Sequence, residues 1–277
     1  FTTTNKINIT NTSASYSTTT GALTVAGGVG VEKNLYVGGT VVAQGYDLLA
    51  YDGAVHYVSS SIGSDSNDGH RRVSPFKTVK QALTVAQSGD TVYIEAGSYY
   101  EQFPLTVPQG VAVRGAGLRE VTVYPTTATN TQSAFLLNGE TSISDFTVSG
   151  FYKPGYAFKF ATGAKITTRS PYIERFSVIT RGTTITASDP YGYDSGNAGN
   201  GAYIDASVLD PTSLEPAMLW NEATFIVPNA TGMYMTNGAR AELLNGFVYF
   251  ASKAIHAVAG TTGYGGVGKA TESRLLP

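Results

Sequence analysis

Short runs of alternating apolar and polar residues dominate the chain from residue 91 onward. In the first run Val92 and Ile94 alternate with Tyr93 and Glu95, and similar runs follow at 105–107, 111–113 and 121–124. A period of two is typical of β-strands with one buried face, and the Gly and Asn between runs favour turns. The pattern therefore predicts a series of short strands.

One stretch, "SPFKTVKQALTVAQSGD" at residues 74–90, has a helical period instead. Ser74 is a suitable N-cap, Pro75 suits the first helical position, and Gly89 can end the helix in a left-handed conformation. The apolar residues that share one face at helical spacing are Phe76, Val79, Ala82, Leu83 and Ala86. We predict a single helix near 75–87.

A loose repeat follows from about residue 126. Strand-like segments centre on Phe135, Phe158, Tyr203, Tyr234 and His256, and a second set between them centres on Phe146, Phe176, Phe225 and Val248. By subtraction, Phe135 to Phe158 is 23 residues and Tyr234 to His256 is 22. Such a coil has room for about three short strands. The repeat favours a parallel β-helix, in which each strand pairs with its equivalent one coil away.

This fold gives the single helix a function. A β-helix ends in unpaired N–H and C=O groups around an open apolar interior, which would recruit other chains unless it is covered. The apolar face of the helix, from Phe76 to Ala86, can lie over the first coil. Burial stabilises such a contact by about 1.5–3 kcal/mol for each large side chain. We therefore predict a capping helix.

Residues 1–45 are rich in Thr, Ser and Gly, with brief strand-like runs at 22–25, 34–37 and 40–42. None of these runs can bury an apolar face alone, since an isolated hairpin is marginally stable in water. Because apolar residues alternate with small polar ones, we favour a segment that other copies of itself order; a flexible linker is the alternative. The predicted domains are a trimerisation or attachment segment at 1–45 and a β-helix at 46–277.

Composition narrows the range of functions. Only 14% of the 277 residues are charged and the net charge is −2, which disfavours a nucleic-acid-binding surface. The chain has no Cys, which excludes disulfides and thiolate metal sites. No apolar run reaches the roughly 18 residues of a membrane span. Because the sequence opens with Phe1 and has no leader pattern, we expect a segment of a longer polypeptide.

Residues 58–101 resemble the opening of pectate-lyase-like right-handed β-helix proteins. The shared elements are Gly63-Ser64-Asp65, Asn67-Asp68-Gly69, Pro75-Phe76, Gly89-Asp90-Thr91-Val92, and Gly97-x-Tyr99 followed by Glu101. The resemblance implies an all-β fold, a right-handed parallel β-helix with an N-terminal capping helix. It implies no activity, since many members of that superfamily are not enzymes.

Two further stretches have narrower resemblances. Residues 17–39 resemble a module of tailed-phage fibres, and residues 201–255 are similar to β-helix structural proteins of large contractile-tailed phages of marine cyanobacteria. Together they imply a structural protein of the virion, a tail-fibre or baseplate-associated segment that contacts the host surface. The implied partners are further copies in a homotrimer, other phage tail or baseplate proteins, and host surface glycans.

A tailspike-type polysaccharide depolymerase is the alternative function. Glycosidases need two carboxyl groups about 5–9.5 Å apart. The candidates are Asp189, Asp194, Asp205, Asp210 and Glu215, whose spacing does not place two of them on adjacent coils. A lyase-type site needs clustered Asp ligands for calcium beside a basic residue. No such cluster accompanies Arg169, Arg175 or Arg181 in the sequence. We therefore assign no catalytic residue.

The candidate carbohydrate-binding residues are Tyr191 and Tyr193, in the polar insertion "ASDPYGYDSGNAGN" at 187–200. Aromatic rings can stack on the apolar faces of sugars. Tyrosines also pack ordinary loops, so simple loop packing is the other interpretation.

The remaining motifs do not specify a metal or cofactor. "DSNDG" at 65–69 offers oxygen ligands for calcium, but Phe76 at the twelfth position excludes an EF-hand, and Asx turns also explain the run. "GYGGVGKA" at 263–270 lacks the Ser or Thr that follows the Lys of a P-loop. The three histidines, His56, His70 and His256, are scattered and lack the paired spacing of a zinc site. We assign no metal and no cofactor.

Overall fold

The computed structural model describes residues 9–14, 19–27, 29–32, 42–43, 46–47, 53–214 and 216–258. The chain separates into two compact units, Phe1–Ala50 and Tyr51–Pro277. In the first unit, β1 (Val42–Ala43) pairs antiparallel with β2 (Tyr46–Asp47). The run at 22–25 is not a strand, since no described strand pairs with it, and its Leu23 and Val25 are exposed. The run at 34–37 lies outside the described residues.

The second unit is a right-handed parallel β-helix. Its strands are β3 (Val55–Val58), β4 (Thr91–Ile94), β5 (Gly97–Glu101), β6 (Leu105–Val107), β7 (Ala112–Gly115), β8 (Val121–Pro125), β9 (Phe135–Leu137), β10 (Ser142–Ser149), β11 (Tyr156–Phe160), β12 (Tyr172–Ile179), β13 (Asn200–Asp205), β14 (Ala217–Ile226), β15 (Thr231–Thr236), β16 (Arg240–Leu244), β17 (Phe247–Tyr249) and β18 (Lys253–Ala257). The helices are α1 (Val79–Val85) and a short 3₁₀ turn, Ala206–Val208. None of the helices in the described ranges is long and apolar enough to cross a membrane.

The strands form three faces. Face one contains β3, β4, β7, the first halves of β10, β12 and β14, and β16. Face two contains β5, β8, the second halves of the same three long strands, and β17. Face three contains β6, β9, β11, β13, β15 and β18. Each strand pairs in parallel with the equivalent strand of the next coil.

The long strands turn the corner between faces one and two at left-handed residues. Asp145, Arg175 and Glu222 have φ values of 65°, 44° and 53°, and Asn245, between β16 and β17, has a φ of 50°. Residues other than Gly adopt the left-handed conformation only as single residues, not in runs. The change of φ from negative to positive at one residue bends the strand. Four successive coils therefore turn this corner with the same backbone conformation.

The interior is a stack of aromatic and aliphatic side chains. The rings of Phe135 and Phe158 lie 5.5 Å apart, those of Phe146 and Phe176 4.6 Å, and those of Phe158 and Trp220 5.2 Å, between centroids. All five side chains are buried. Burial stabilises the fold by about 1.5–3 kcal/mol for each large apolar side chain.

The predicted repeat is confirmed in most of its pairs. The register joins Phe135 with Phe158, Tyr203 with Tyr234 and His256, Phe146 with Phe176, and Phe225 with Val248. Two predicted steps were wrong in register. Phe158 pairs with Ala202, so Tyr203 points outward opposite Lys159, and Phe225 pairs with Val178 instead of Phe176. Both errors occur where a long insertion separates the two strands. The length of an insertion does not determine the register of the strand that comes after it.

The predicted boundaries of the helix were wrong at both ends. The helix begins at Val79 after the N-cap Thr78, whose hydroxyl accepts the Gln81 N–H. Ser74 instead donates its hydroxyl to Asp68, and Gly89 lies three residues beyond the C-cap Ala86, in a turn. The predicted apolar face is correct, because its five side chains are buried in the core: Phe76, Val79, Ala82, Leu83 and Ala86.

The helix covers the N-terminal end of the core. It packs against β3, β4, β5 and β6. Within the described residues, β5 pairs only with β8, and β6 only with β9, so their other edges face the helix end of the solenoid. Glu101, at the end of β5, accepts the N–H groups of Val79 and Lys80 at 2.7 and 3.2 Å. The prediction of a capping helix is confirmed.

Candidate functional site

The insertion that contains Tyr191 and Tyr193 is a well-bonded loop between β12 and β13. The Asp189 carboxylate accepts the N–H groups of Tyr193 and Asp194 at 2.8 and 2.9 Å, and these bonds lower its pKa. The Gly182 N–H donates to the Tyr191 carbonyl at 2.8 Å, which closes the base of the loop. The backbone around both tyrosines is therefore held in one arrangement.

Lys153 joins this loop to the carboxyl-terminal coil. Its Nζ donates to the carbonyl oxygens of Gly196, in the loop, and Asn229, before β15, at 2.7 and 2.6 Å. Burial lowers the pKa of this ammonium group. Asn229 also donates its N–H to the Phe250 carbonyl at 2.9 Å. One lysine thus connects the loop to the corner that follows β17.

Four aromatic side chains come together here, Tyr191, Phe250, Tyr249 and Phe247, and Tyr193 lies two residues from Tyr191 along the loop. We name these five residues the aromatic cluster. The rings of Tyr191 and Phe250 stack at 5.2 Å and 28°, and the Arg181 guanidinium lies 5.6 Å from the Tyr191 ring. Tyr193, two residues along the loop, is 44% exposed. Tyr191 is thus partly used in packing, whereas Tyr193 is open to a ligand.

The other three members were missed by the sequence analysis. Phe247, Tyr249 and Phe250 are 48%, 46% and 53% exposed. They are more than 50 residues from Tyr191, and only the folding of the last coil brings them to the loop. The sequence run "GFVYF" at 246–250 could have indicated two of them. Side chains alternate in a strand, so when Val248 points inward, Phe247 and Tyr249 point outward.

The cluster has the composition of a sugar-contact surface. Exposed aromatic rings offer large, flat apolar area together with polar edges, and they bury that area at low conformational cost. Such rings can stack on the apolar face of a sugar, while Arg181 can donate hydrogen bonds to it and the loop carbonyls can accept them. The carbohydrate-binding role of Tyr191 and Tyr193 stays a prediction.

The candidate carboxylates hold local turns. Besides Asp189, Asp205 accepts bonds from the Ser207 N–H and the Asn237 amide, which outweigh burial and lower its pKa. Asp210 accepts from the Thr212 hydroxyl and N–H, which likewise lower its pKa. Asp194 is exposed in the loop, and Glu215 lies outside the described residues.

Arg175 pairs with one Asp on the adjacent coil and with its sequence neighbour Glu174. Its Nε and Nη2 donate to the two oxygens of Asp145 at 2.6 and 3.0 Å, and Nη2 also donates to Glu174 at 2.8 Å. The bidentate bond lowers the pKa of Asp145. Arg114 lies 3.4 Å from the same carboxylate. The pair was hidden because its members lie 30 residues apart, on adjacent coils.

The "DSNDG" loop supports the helix. The Asp65 carboxylate accepts the N–H groups of Lys77 and Thr78 at 2.8 and 2.9 Å, and Asn67 donates to the Pro75 carbonyl. Asp65 and Asn67 thus bind main-chain groups distant in sequence, whereas Asp68 forms a local Asx turn by accepting the His70 N–H. Across the described ranges, no three His, Cys, Asp or Glu side chains converge as metal ligands would. The P-loop-like stretch at 263–270 lies outside the described residues.

Two of the histidines that look scattered in sequence are neighbours. The rings of His56 and His70 lie 5.1 Å apart beside a cleft of about 520 Å³ next to α1. His56 Nε2 donates to Asp90 at 2.8 Å, and Asp90 also accepts the N–H groups of Ala54 and Gln87. Asp90 thereby links the starts of β3 and β4 to the segment after the helix. His256 stacks edge-on against Tyr234 on face three.

Residues 61–150 match the family model described as "Protein of unknown function (DUF1565)", which covers less than half of the chain. No curated protein is significantly similar to the chain. A pectin methylesterase in complex with a hexasaccharide aligns at 12% identity and a TM-score of 0.36, over 72% of this chain and 66% of its own. A rhamnogalacturonan lyase aligns at 17% identity and a TM-score of 0.28, over 75% and 62%. The parallel strand pairing, and not these superpositions, shows that the second unit is a parallel β-helix.

Proposed function

We propose that the protein is a structural segment of a phage virion appendage, a homotrimeric tail-fibre or baseplate-associated component that contacts glycans of the host surface. In this proposal the chain resides in the virion, and its partners are further copies, other tail or baseplate proteins, and host glycans. The resemblances of residues 17–39 and 201–255 support the virion role. The observation that supports glycan contact is the aromatic cluster, held by Lys153 at the carboxyl-terminal coil.

Exposed apolar side chains in the first unit support the oligomer. Those exposed among its described residues are Ile9, Leu23, Val25, Val29 and Val31. Association of identical segments would remove this apolar area from water, which stabilises by about 25 cal/mol for each Å² buried. In an oligomer with closed cyclic symmetry, every copy buries the same apolar area.

Light scattering after size-exclusion chromatography tests the oligomer. We expect a mass close to three times the 29.1 kDa of one chain. Leu23→Asp combined with Val29→Asp should lower that mass, because buried unpaired carboxylates oppose association. Asn11→Asp adds the same kind of charge at an exposed polar position and should leave the trimer intact. A wild-type chain that elutes as a monomer would contradict the proposal.

A panel of bacterial surface polysaccharides tests the glycan contact. We expect the full chain to bind at least one of them, and Tyr193→Ala with Phe250→Ala to weaken that binding roughly tenfold, through loss of two stacking surfaces. Ile62→Ala, at an exposed apolar residue outside the aromatic cluster, is the control. Equal binding by wild type and the double variant would refute the contact. Release of reducing ends from the bound polysaccharide would instead favour the depolymerase.

A further inference from the structure

Face two has no charged side chain at any outward position of its six strands. Its outward positions, read along the register, are Ser98, Thr122, Thr147, Ser177, Thr224 and Phe247 in one column, and Tyr100, Tyr124, Ser149, Ile179, Ile226 and Tyr249 in the other. The other faces differ. Face one carries Arg114, Glu174 and Glu242, and face three carries Lys159 and Lys253.

Open aromatic rings stand at both ends of this face. At the helix end, Tyr100 is 65% exposed and stacks on Tyr124 at 5.4 Å and 21°. At the carboxyl-terminal end, Phe247 and Tyr249 belong to the aromatic cluster. Between the ends, Ile179, Thr224 and Ile226 are half-buried, whereas Thr147 and Ser177 are buried. The Thr147 and Ser149 hydroxyls donate to the carbonyls of Leu118 and Ile179. An uncharged strip therefore runs parallel to the solenoid axis, with open stacking surfaces at its two ends.

We propose that face two binds an extended, uncharged polysaccharide chain that continues from the aromatic cluster along the solenoid axis. The inference rests on the proposed glycan contact and adds the class of glycan and its direction. Sugar rings lie on the terminal aromatics, and the sugars between them lie over Ile179, Thr224 and Ile226.

The absence of charge selects the class of glycan. Arg181 lies beside Tyr191 at the aromatic cluster, but the strands of the strip offer no cationic side chain. An acidic polysaccharide would therefore place most of its carboxylates where they lose water without gaining a cationic partner, which is disfavoured. A neutral chain buries apolar ring faces and keeps its hydroxyl groups hydrogen-bonded. The strip therefore favours neutral over acidic polysaccharides.

The size of the strip favours a glycan over a second copy of this chain. Six strands about 4.8 Å apart, each about four residues wide, give an area of roughly 300 Å². A stable protein–protein contact buries about 800 Å² on each partner. A strip roughly 24 Å long and narrow fits one extended oligosaccharide.

The experiment measures affinity against chain length. The panel polysaccharide that binds best is partially hydrolysed and size-fractionated, and each fraction is titrated into the 277-residue chain by calorimetry. Affinity should rise with length until the oligosaccharide spans the strip. Tyr100→Ala with Tyr124→Ala should lower affinity for the longest fraction about tenfold and leave the shortest unchanged. Tyr57→Ala with Tyr93→Ala, a pair on adjacent coils of face one with rings 6.0 Å apart, is the matched control.

The outcomes separate this inference from the proposed function. If short and long fractions bind equally, or the Tyr100/Tyr124 variant binds the longest fraction like wild type, the strip is not the site although the glycan contact stands. Tighter binding of oligogalacturonate than of a neutral fraction of equal length also overturns it. Dissociation of the oligomer by the same variant would assign face two to contact between copies. If no polysaccharide binds, the glycan contact and the inference fail together.

Discussion

At the scale of the residue, buried carboxylates organise the amino-terminal end of the solenoid. Glu101 is 2% exposed and caps the first N–H groups of α1, while Asp90 joins His56, Gln87 and Ala54. Burial raises the pKa of Glu101 to about 7, against the opposing effect of the N–H groups of Val79 and Lys80. The capping helix is therefore attached through a group that titrates near neutral pH.

Glu101→Gln should weaken the dependence of stability on pH. The folded-state pKa lies above the unfolded value, so the folded chain binds more protons between about pH 4.5 and 7. The stabilisation of the fold by protonated Glu101 is thus fully present below pH 4.5 and is lost as pH rises through about 7. Between pH 5 and pH 8, we expect the free energy of unfolding of wild type to fall by up to about 3 kcal/mol more than that of the variant. Urea denaturation at each pH measures this difference. Glu120→Gln, at an exposed position, should behave like wild type. Identical pH profiles for Glu101→Gln and wild type would contradict the buried titration.

At the scale of the element, two pieces of irregular chain are attached to a regular solenoid. The helix contributes an apolar face to the core, and the insertion between β12 and β13 contributes its aromatic rings to the surface. Hydrogen bonds from side chains to main-chain groups distant in sequence hold both pieces. Asp65 does this for the helix, and Lys153 for the insertion.

Phe76→Asp should detach the helix from the core. Phe76 is 3% exposed and forms a parallel bridge with Val58, so a carboxylate there would be buried without a partner. We expect the free energy of unfolding to fall by more than about 3 kcal/mol and aggregation to increase. Thermal melting measures the first effect and light scattering the second. Val73→Asp, three residues earlier at an 82% exposed position, is the control. A Phe76→Asp protein that melts and stays soluble like this control would show that the helix is not needed as a cap.

Lys153→Met should loosen the insertion. The substitution keeps the apolar stem but removes the donor to two carbonyl groups, which costs about 1–3 kcal/mol. Hydrogen exchange of residues 190–199 should become faster. Lys159→Met removes a cation 5.0 Å from the Tyr203 ring on face three and should leave exchange in the insertion unchanged. Equal protection of the insertion in wild type and Lys153→Met would rule out the attachment.

At the scale of the whole molecule, the second unit is a one-dimensional array whose two ends differ. Each coil contacts its neighbours, so stability depends on the contacts between adjacent coils. The amino-terminal coil is covered by α1, and its inward residues are fully buried. At the other end, Leu243 and Val248 are only half-buried, and no described strand pairs with the outer edges of β16, β17 and β18.

Hydrogen exchange should therefore be asymmetric along the axis. We expect amides in β16 and β17 to exchange at least about tenfold faster than those in β12, since local opening needs less energy where fewer apolar groups are buried. Amides in β4 and β5, at the covered end, should be protected like the interior coils. Equal protection at both ends, measured by mass spectrometry on the wild-type chain, would argue against this gradient.

Local periodicity made much of the fold predictable. The helix face and the pairing of Phe146 with Phe176 follow from residue spacing alone. The position where the helix begins does not follow from spacing. The contact between Asp65 and Thr78 spans 13 residues and overrides the preference of Ser74 and Pro75 for a helix start. At the site, two tyrosines were visible in one loop, whereas Phe250 reaches Tyr191 only through the register of the last coil. Contacts set by register after a long insertion cannot be read from spacing.

The placement of the insertion at a corner makes it exchangeable. From Ile173 to Trp220 the chain runs 47 residues by subtraction, against 30 from Ile143 to Ile173, yet all three align on face one. Extra residues between strands leave the ladder unchanged because they project from the corner that follows face two. A loop of different length or sequence could be grafted there without repacking the core. Recognition could thus diversify while the scaffold that displays it is conserved.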